Sequence, residues 1–406
     1  MDIKETDARY VLNTYGRQPE TNLLISRGSG SQVWDEEGKE YLDLLTGLAV
    51  NALGHAHPRV VRAIQEQAET LLHTSNLYYT APQAELAQVL SENSLKGKVF
   101  FANSGAEVNE AAIKMARKHG KSAHDKPAYK IVTARGSFHG RTLATITATG
   151  QPHHQKGFDP LVEGFVYAPF NDLPAFKEAV DEETCAVMVE PVQGEGGVHP
   201  ADPAFLQNLR QLCDEKGILL IFDEIQCGLG RTGSLWAYED YGVEPDILTS
   251  AKSLGGGLPL GAMICREEIA SCLGPGEHAS TFGGNPVACK AALAVWEELL
   301  QEEGRLIKEV AQKGEYIQEE LRRIDSASPG LIKEVRGKGL MLAVEMQEKW
   351  AKPLHEDLQQ KGFLVNSMGE QVIRILPPLT ITQAEIDSFI RAFHESLNER
   401  SLTDRS

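Results

Sequence analysis

The chain has 406 residues, of which 42% are hydrophobic and 24% are charged, with 37 glycines. This composition is typical of a folded globular protein and excludes a disordered or fibrous chain, while the length predicts two or three domains. The net charge is −17, from 40 basic and 57 acidic residues, and no Lys/Arg-rich run stands out, which argues against a nucleic-acid or anionic-membrane surface.

The amino terminus and the cysteines indicate a compartment. Residues 1–7 lack the charged-then-apolar pattern of a signal peptide, and no apolar run approaches the roughly 18 residues of a membrane helix, so we expect a cytoplasmic protein. Six cysteines without a C-x-x-C pair indicate reduced, mostly buried thiols. The histidines at 55, 57, 153 and 154 have no partners at ligand spacing, so no metal site is expected.

The first 50 residues predict a small β-rich segment. Residues 32–34 and 41–44 alternate in polarity, and the intervening residues 36–39 supply a turn, which is the pattern of a hairpin. We expect residues 1–50 to pack with the smaller of two domains.

Residues 51–290 predict the large domain. Seven short apolar runs alternate with helical patterns, at 99–101, 129–132, 165–167, 186–189, 218–222, 247–248 and 262–265. Continuous apolar strands between helices are typical of a mostly parallel sheet covered on both faces. The fold class expected is therefore α/β, with a seven-stranded sheet.

Residues 291–406 predict a smaller α+β domain. A long helical stretch precedes strands near 340–346 and 372–376. A Thr382-x-x-Glu385 capping box then opens the last helix. That helix places five apolar residues on one face: Ile386, Phe389, Ile390, Phe393 and Leu397.

Polar motifs follow the predicted strands, at the sheet edge where α/β folds bind ligands. Ser104 and Glu107 form an S-x-x-E capping box after the strand at 99–102, and the Ser-Gly-Ala turn there offers free N–H groups to an anion such as phosphate. A capped helix without a ligand would give the same pattern.

Two further motifs lie at the same edge. Residues 136–142 contain Phe138, whose ring can stack on a flat ligand, and Arg141, whose guanidinium can clamp a carboxylate. Glu190 and Glu195 stand in a glycine-rich turn that lets the backbone approach a ligand. Taken alone, each motif is also consistent with an aromatic residue in the core or a solvated charge on the surface.

Asp223, Gln226 and Lys252 together indicate pyridoxal phosphate (PLP). A carboxylate that ends the apolar strand at 218–222 needs a cationic partner, and the protonated ring nitrogen of PLP is one. Gln226 can donate to the phenolate oxygen of the ring. Lys252, among the small residues of 249–257, can form a Schiff base with the cofactor aldehyde. The agreement of these separate motifs favours a PLP site.

These motifs resemble the class III (ornithine-aminotransferase-type) family of PLP-dependent aminotransferases. The resemblance implies a PLP-dependent transferase of fold type I that forms a homodimer with active sites at the subunit interface. The matching segments span nearly the whole chain in family order: 14–17, 73–79, 104–117, 137–152, 190–197, 222–233, 249–261, 281–286 and 374–378.

The resemblance also implies how the cofactor phosphate is held. Gly105 and Ala106 offer backbone N–H groups to it, and Ser104 belongs to the same turn. Thr281 reaches the phosphate from the neighbouring subunit. One small departure from the family pattern is Ser253, where many relatives have glycine after the lysine.

The ring of the cofactor has its own set of implied contacts. By resemblance, Phe138 stacks on the pyridine ring, Asp223 pairs with its nitrogen and Gln226 bonds its oxygen. Lys252 holds the aldehyde and is the catalytic base. Glu190 supports this arrangement or the substrate.

Substrate recognition requires one pocket to accept an ω-amino donor and the dicarboxylate 2-oxoglutarate in turn. The resemblance assigns Arg141 to the carboxylate far from the reacting carbon and Arg374 to the α-carboxylate of glutamate. Glu195 neutralises Arg374 when the donor presents an uncharged carbon there, because an unpaired buried charge costs several kcal/mol.

The family resemblance implies transfer of the δ-amino group of N2-acetylornithine to 2-oxoglutarate, in arginine biosynthesis. Residues 15–17 and 75–78 favour an N-acylated ornithine, with succinylornithine, ornithine and 4-aminobutyrate as alternative donors. A PLP-dependent mutase or decarboxylase would not need both arginines. A binding protein that retains the fold without catalysis is the non-enzymatic alternative.

Overall fold

The computed structural model describes residues 2–19, 21–123, 127–327 and 330–403. The α-helices are Ile3–Tyr10 (α1), Thr46–Ala49 (α2), Pro58–Thr70 (α3), Ala81–Glu92 (α4), Gly105–Ala123 (α5), Leu143–Ala148 (α6), Pro152–Gln155 (α7), Leu173–Ala179 (α8), Pro203–Lys216 (α9), Glu267–Ala270 (α10), Pro286–Ala327 (α11), Ala351–Gln360 (α12) and Gln383–Thr403 (α13). Short 3-10 helices span Ala237–Tyr241 and Lys252–Gly255.

The strands are Ile25–Ser29 (β1), Gln32–Asp35 (β2), Glu40–Asp43 (β3), Lys98–Ala102 (β4), Lys130–Ala134 (β5), Phe165–Ala168 (β6), Thr184–Val189 (β7), Val192–Gln193 (β8), His199–Pro200 (β9), Leu219–Asp223 (β10), Ile247–Ser250 (β11), Gly261–Cys265 (β12), Ile332–Lys338 (β13), Met341–Met346 (β14), Phe363–Leu364 (β15), Asn366–Met368 (β16) and Val372–Ile375 (β17).

The central sheet has seven strands in the order β4-β12-β11-β10-β7-β5-β6. They are the seven apolar runs of the sequence. The five strands from β11 to β6 pair in parallel, whereas β12 runs antiparallel to both of its neighbours. The prediction of a mostly parallel seven-stranded sheet is therefore confirmed.

Alternate residues of the central strands belong to two separate apolar cores. In β10, Leu220 and Phe222 pack into one core, and Leu219 and Ile221 pack into the other. Strands buried on both faces need apolar residues at every position, which explains their unbroken hydrophobic runs. Because β4, β10 and β11 point the same way, Asn103, Asp223 and Ala251 come to the same edge of the sheet.

Two smaller sheets flank the central one. The predicted hairpin is β2 and β3, and β15 extends it by pairing in parallel with β3. The other sheet has the order β13-β14-β17-β16. Of its strands, β13 and β16 were not predicted from the sequence, because polar residues interrupt β13 and β16 has only three residues.

Helices α11 and α12 pack against this smaller sheet, and α13 packs against both helices. The backbone of α11 leaves the helical region at residues 301–304, so we propose that the two domains divide at this kink and not after residue 290. Pairing of β15 with β3 supports packing of residues 1–50 against the smaller domain. As predicted, Thr382 and Glu385 form a capping box before α13.

All six cysteines are free thiols and five are buried, as the sequence predicted. In the described part of the chain, no helix combines the length and hydrophobicity needed to cross a membrane.

Candidate active site

A cavity of about 470 Å³ lies at the carboxyl edge of the central sheet. Arg374 does not line this cavity itself, but it contacts two residues that do, Glu195 and Gln226. Thr281 is exposed and does not line the cavity of its own chain. The other residues predicted from the sequence line it: Ser104, Gly105, Ala106, Phe138, Arg141, Glu190, Glu195, Asp223, Gln226 and Lys252.

Asp223 presents a buried carboxylate at the end of β10, with only 3% of its surface exposed. Its Oδ2 accepts hydrogen bonds from Asn109 Nδ2 and His139 Nδ1, both at 2.8 Å. Its Oδ1 accepts from the N–H of Ile225 at 3.0 Å. Because an ionised carboxylate can only accept, Nδ1 of His139 carries a proton. These donors fix the carboxylate beside the cavity.

Asn109 and His139 are buried polar residues that the sequence interpretation missed. Asn109 also accepts a hydrogen bond from Thr249 at 2.8 Å, which ties α5 to β11. The sequence does contain one signal for Asn109, because this residue shares a face of α5 with Ala112 and Ala116. A polar residue on an apolar helix face needs a partner in the core.

The amino terminus of α5 lines the cavity next to Asp223. The first N–H groups of a helix have no partner within the helix, so those of Gly105 and Ala106 are available to an anion. Glu107 completes the predicted cap, because its carboxylate accepts from the N–H of Asn103 at 2.9 Å and the hydroxyl of Ser104 at 3.1 Å.

Lys252 follows β11 and has φ 45°, in the left-handed region that few non-glycine residues adopt. No described residue accepts a hydrogen bond from its amine. Burial lowers the pKa of Lys252 below its ordinary value and Arg374 adds to this effect, while Glu195 is the main opposing charge. The neutral amine, which is the nucleophilic and basic form, is thereby favoured.

Glu190 connects the two loops at this edge. Its carboxylate accepts from the N–H of Phe138 at 3.0 Å and from the N–H of Gly194 at 3.1 Å. Burial raises the pKa of Glu190 to about 7, with His139 lowering it and Asp223 raising it further. Glu190 thus ties the backbone at Phe138 to the glycine-rich turn.

Arg374 and Glu195 form an ion pair at one end of the cavity. Arg374 is 1% exposed, and its Nη1 lies 2.6 Å from Glu195 Oε1 and 3.4 Å from Gln226 Oε1. Its Nη2 donates to Asn366 Oδ1 at 2.9 Å. Burial opposes ionisation of Glu195, but Arg374 holds the pKa of that carboxyl below its ordinary value.

The turn approaches the side chain of Gln226 closely at Gly194. A β-carbon at Gly194 would lie 1.9 Å from Gln226 Oε1. Gln226 is itself held, because its Nε2 donates to Glu195 Oε1 at 3.2 Å. A side chain at position 194 would therefore displace Gln226 from its contact with Glu195.

Arg141 lies at the open side of the cavity and is exposed. Its guanidinium carbon is 5.4 Å from the centre of the Phe138 ring, a cation–π distance. His154 contacts the same ring edge-on, with centroids 5.9 Å apart. Glu195 in the cavity lining thus pairs with the buried cation Arg374, whereas the exposed Arg141 has no ion-pair partner among the residues that the structure describes.

The chain matches a known protein family along nearly its whole length. The model of the class-III aminotransferases matches residues 15–397. The chain belongs to the class III aminotransferases. The sequence-based predictions of the family, of fold type I and of a PLP-dependent transaminase are confirmed.

Similar class III proteins cover the chain almost completely. It is 49% identical to an acetylornithine aminotransferase of Caldanaerobacter subterraneus, over 97% of this chain and 98% of the relative. Identity to an acetylornithine aminotransferase of Methanocaldococcus jannaschii is 50%, with the same coverage. Among solved structures, the ornithine aminotransferase of Toxoplasma gondii aligns with TM-score 0.93 at 34% identity, covering 99% of this chain and 97% of that one.

Class III aminotransferases use PLP, and the side chains of this cavity fit that group. The amine of Lys252 has no competing partner among the described residues, and Asp223 is a buried carboxylate aimed by three donors. The free N–H groups of α5 suit a phosphate. In the described ranges, no three histidine, cysteine or acidic side chains come together as a metal site would require.

Proposed function

We propose that this class III enzyme is an acetylornithine aminotransferase. It transfers the δ-amino group of N2-acetylornithine to 2-oxoglutarate, and the products are N-acetylglutamate 5-semialdehyde and glutamate, as in arginine biosynthesis. The observation that carries the proposal is the ion pair, 2.6 Å apart, between the buried Arg374 and Glu195, which lines the same cavity as Lys252. The relatives with this activity in their names, at up to 50% identity, support it.

The cofactor-holding residues follow from the cavity. Asp223 would pair with the ring nitrogen, Gln226 with the ring oxygen and Phe138 with the ring face, while Ser104, Gly105 and Ala106 would hold the phosphate. Bound PLP supplies an electron sink for charge that develops on the substrate carbon.

Lys252 moves the proton in this reaction. Its amine accepts the proton from the carbon that carries the amino group of the donor, and a general base must be neutral to do so. Burial lowers the pKa of Lys252, which favours the neutral form. The buried position of the amine also keeps bulk water away from the proton being transferred.

The two ends of the cavity sort the substrates. With 2-oxoglutarate or glutamate, the α-carboxylate replaces Glu195 as the partner of Arg374, and Arg141 binds the distal carboxylate. With N2-acetylornithine, the carbon next to the reacting amine is uncharged, so Glu195 stays on Arg374. The carboxylate of that donor then binds Arg141. Charge is balanced in both cases.

We also propose a homodimer in which Thr281 completes the phosphate site of the partner. The turn 280–283 is held by Asn76, whose Nδ2 donates to Ser280 O at 3.0 Å and Gly283 O at 2.9 Å. Five large apolar side chains are exposed in this turn and in the segment 72–79 that Asn76 ties to it: Leu72, Leu77, Tyr78, Tyr79 and Phe282. Exposed apolar groups of this kind are typical of interfaces, which supports a second copy on this face.

Free thiols support a reducing compartment, and we propose a cytoplasmic location.

A comparison of donors tests the proposed function. The kcat/KM of N2-acetylornithine, succinylornithine, ornithine and 4-aminobutyrate is measured with 2-oxoglutarate as acceptor, and glutamate is quantified. We expect the highest value for N2-acetylornithine. Ornithine is the second candidate, because of the similarity to ornithine aminotransferases. A higher value for ornithine or 4-aminobutyrate would reassign the donor, and absence of glutamate would contradict aminotransfer to 2-oxoglutarate.

A further inference from the structure

We propose that Asn366 is a positioning residue that keeps the guanidinium of Arg374 aimed into the cavity while Glu195 is displaced by a dicarboxylate. Asn366 thereby sets the affinity for the acceptor substrate. The inference rests on the proposed function, because it requires Glu195 to exchange with a substrate carboxylate.

Asn366 lies directly opposite Arg374 in the sheet. The two residues are Cα partners in the antiparallel pair of β16 and β17, so their side chains stand on the same face. Asn366 Oδ1 accepts from Nη2 of Arg374 at 2.9 Å. The oxygen of the amide must face the guanidinium, because arginine has only donors.

Asn366 is suited to positioning Arg374 because its side chain is uncharged. A carboxylate at the same place would also fix Nη2, but it would neutralise the cation permanently and compete with the substrate. An amide fixes the orientation of the guanidinium and leaves its positive charge available to a mobile partner. One partner of Arg374 is therefore neutral and lies in a strand, and the other is charged and lies on a turn.

Few other acceptors reach Arg374. Once Glu195 leaves, Gln226 at 3.4 Å is the remaining contact of Nη1, and Nε has no partner among the described residues. A buried guanidinium with so few acceptors would reorient toward water or the backbone. Asn366 is the contact that persists through the exchange.

Two variants test the proposal. Asn366→Leu removes the acceptor at nearly constant size, and Asn366→Asp keeps the acceptor but adds a charge. The matched control is Ser367→Ala, one residue along β16, where the side chain points to the opposite face. Each PLP-loaded enzyme is titrated with glutarate, a non-reacting dicarboxylate, by calorimetry. Thermal unfolding is recorded in parallel.

We expect the Kd for glutarate to rise at least fivefold in both Asn366 variants and to stay within twofold in the control. Asn366→Asp should unfold no earlier than wild type, because it strengthens the contact with Arg374. A smaller rise in the Kd of either folded variant would overturn the proposal. If Asn366→Leu does not fold, Asn366→Ala takes its place, because it also removes the acceptor without adding a charge.

Failure of the proposed function gives a different result. A wild-type enzyme that binds glutarate but transfers no amino group from N2-acetylornithine would contradict the function, while the binding data would still decide the role of Asn366. A wild-type enzyme that does not bind glutarate would contradict both.

Discussion

Two buried arginines, Arg336 on β13 and Arg374 on β17, contact the same glycine-rich turn but are neutralised in different ways. Nη1 of Arg336 meets Glu345 at 2.5 Å and Glu334 at 2.9 Å, both in its own sheet. Arg374 instead meets one acid, Glu195, which comes from the turn. The acids that neutralise Arg336 thus belong to the sheet that carries it, whereas the acid that neutralises Arg374 comes from a separate segment, the turn.

Backbone groups on both sides of Glu195 hold the turn. The carbonyl of Gly197 accepts from Nε of Arg336 at 2.9 Å, and the N–H of Gly194 donates to Glu190 at 3.1 Å. Glu195 stands between these anchors and is 25% exposed, against 1% for Arg374. We infer that Arg336 stabilises the fold, whereas Arg374 uses its charge to bind a substrate carboxylate.

The largest effect is expected for Arg374→Met. Loss of one partner of a buried charge pair at a binding site costs about 2 to 5 kcal/mol, so kcat/KM for 2-oxoglutarate should fall by roughly 30-fold to several thousand-fold. Steady-state kinetics measure the change, with Arg336→Met as the control. Equal losses in the two variants would remove the distinction between the arginines.

Arg336→Met should act on stability instead. Breaking a buried ion pair costs about 3 to 5 kcal/mol, and the lower end applies here because Lys333 still neutralises Glu345, at 2.5 Å. We expect an earlier urea midpoint and a ratio of donor to acceptor kcat/KM close to wild type. A selective loss of 2-oxoglutarate activity in the folded variant would show that Arg336 binds substrate.

The variant Glu195→Gln tests the same ion pair by changing its acidic member. Without the carboxylate, Arg374 faces the uncharged carbon of the donor, and a lost hydrogen bond between charged groups is worth about 1.5 to 3 kcal/mol. The rate of the half-reaction with N2-acetylornithine should fall at least tenfold, while that with 2-oxoglutarate should hold or rise. A fall in both half-reactions would argue against an exchange at Arg374.

The smallest effect is expected for the free energy of unfolding at acidic pH. Burial opposes ionisation of Glu195, yet Arg374 holds its pKa below the ordinary value. A carboxyl with a depressed folded-state pKa adds stability above its unfolded pKa and loses it as pH falls through the folded pKa. Below about pH 4.5 the difference in unfolding free energy between wild type and Glu195→Gln should therefore shrink. A constant difference down to pH 3 would contradict the pairing.

The sequence predicted the parts of this site that depend on local pattern. Lys252, Asp223 and the cap at Ser104 each follow an apolar strand, and strand ends meet at one edge in any parallel sheet. Asn109 and Asn366 could not be found in this way, because their partners are 114 and 8 residues away and only the packed structure brings them together. The antiparallel direction of β12 was missed for the same reason, since a buried strand looks alike in either direction.

A double-variant experiment tests most directly whether Glu195 exists to neutralise Arg374. The half-reaction of N2-acetylornithine with the PLP-loaded enzyme is followed in single turnover for wild type, Glu195→Gln, Arg374→Met and the double variant. If the two residues act as a pair, removing Arg374 from the Glu195→Gln enzyme should restore the donor rate toward wild type, because no cation then needs a partner. Losses that multiply in the double variant would contradict the account.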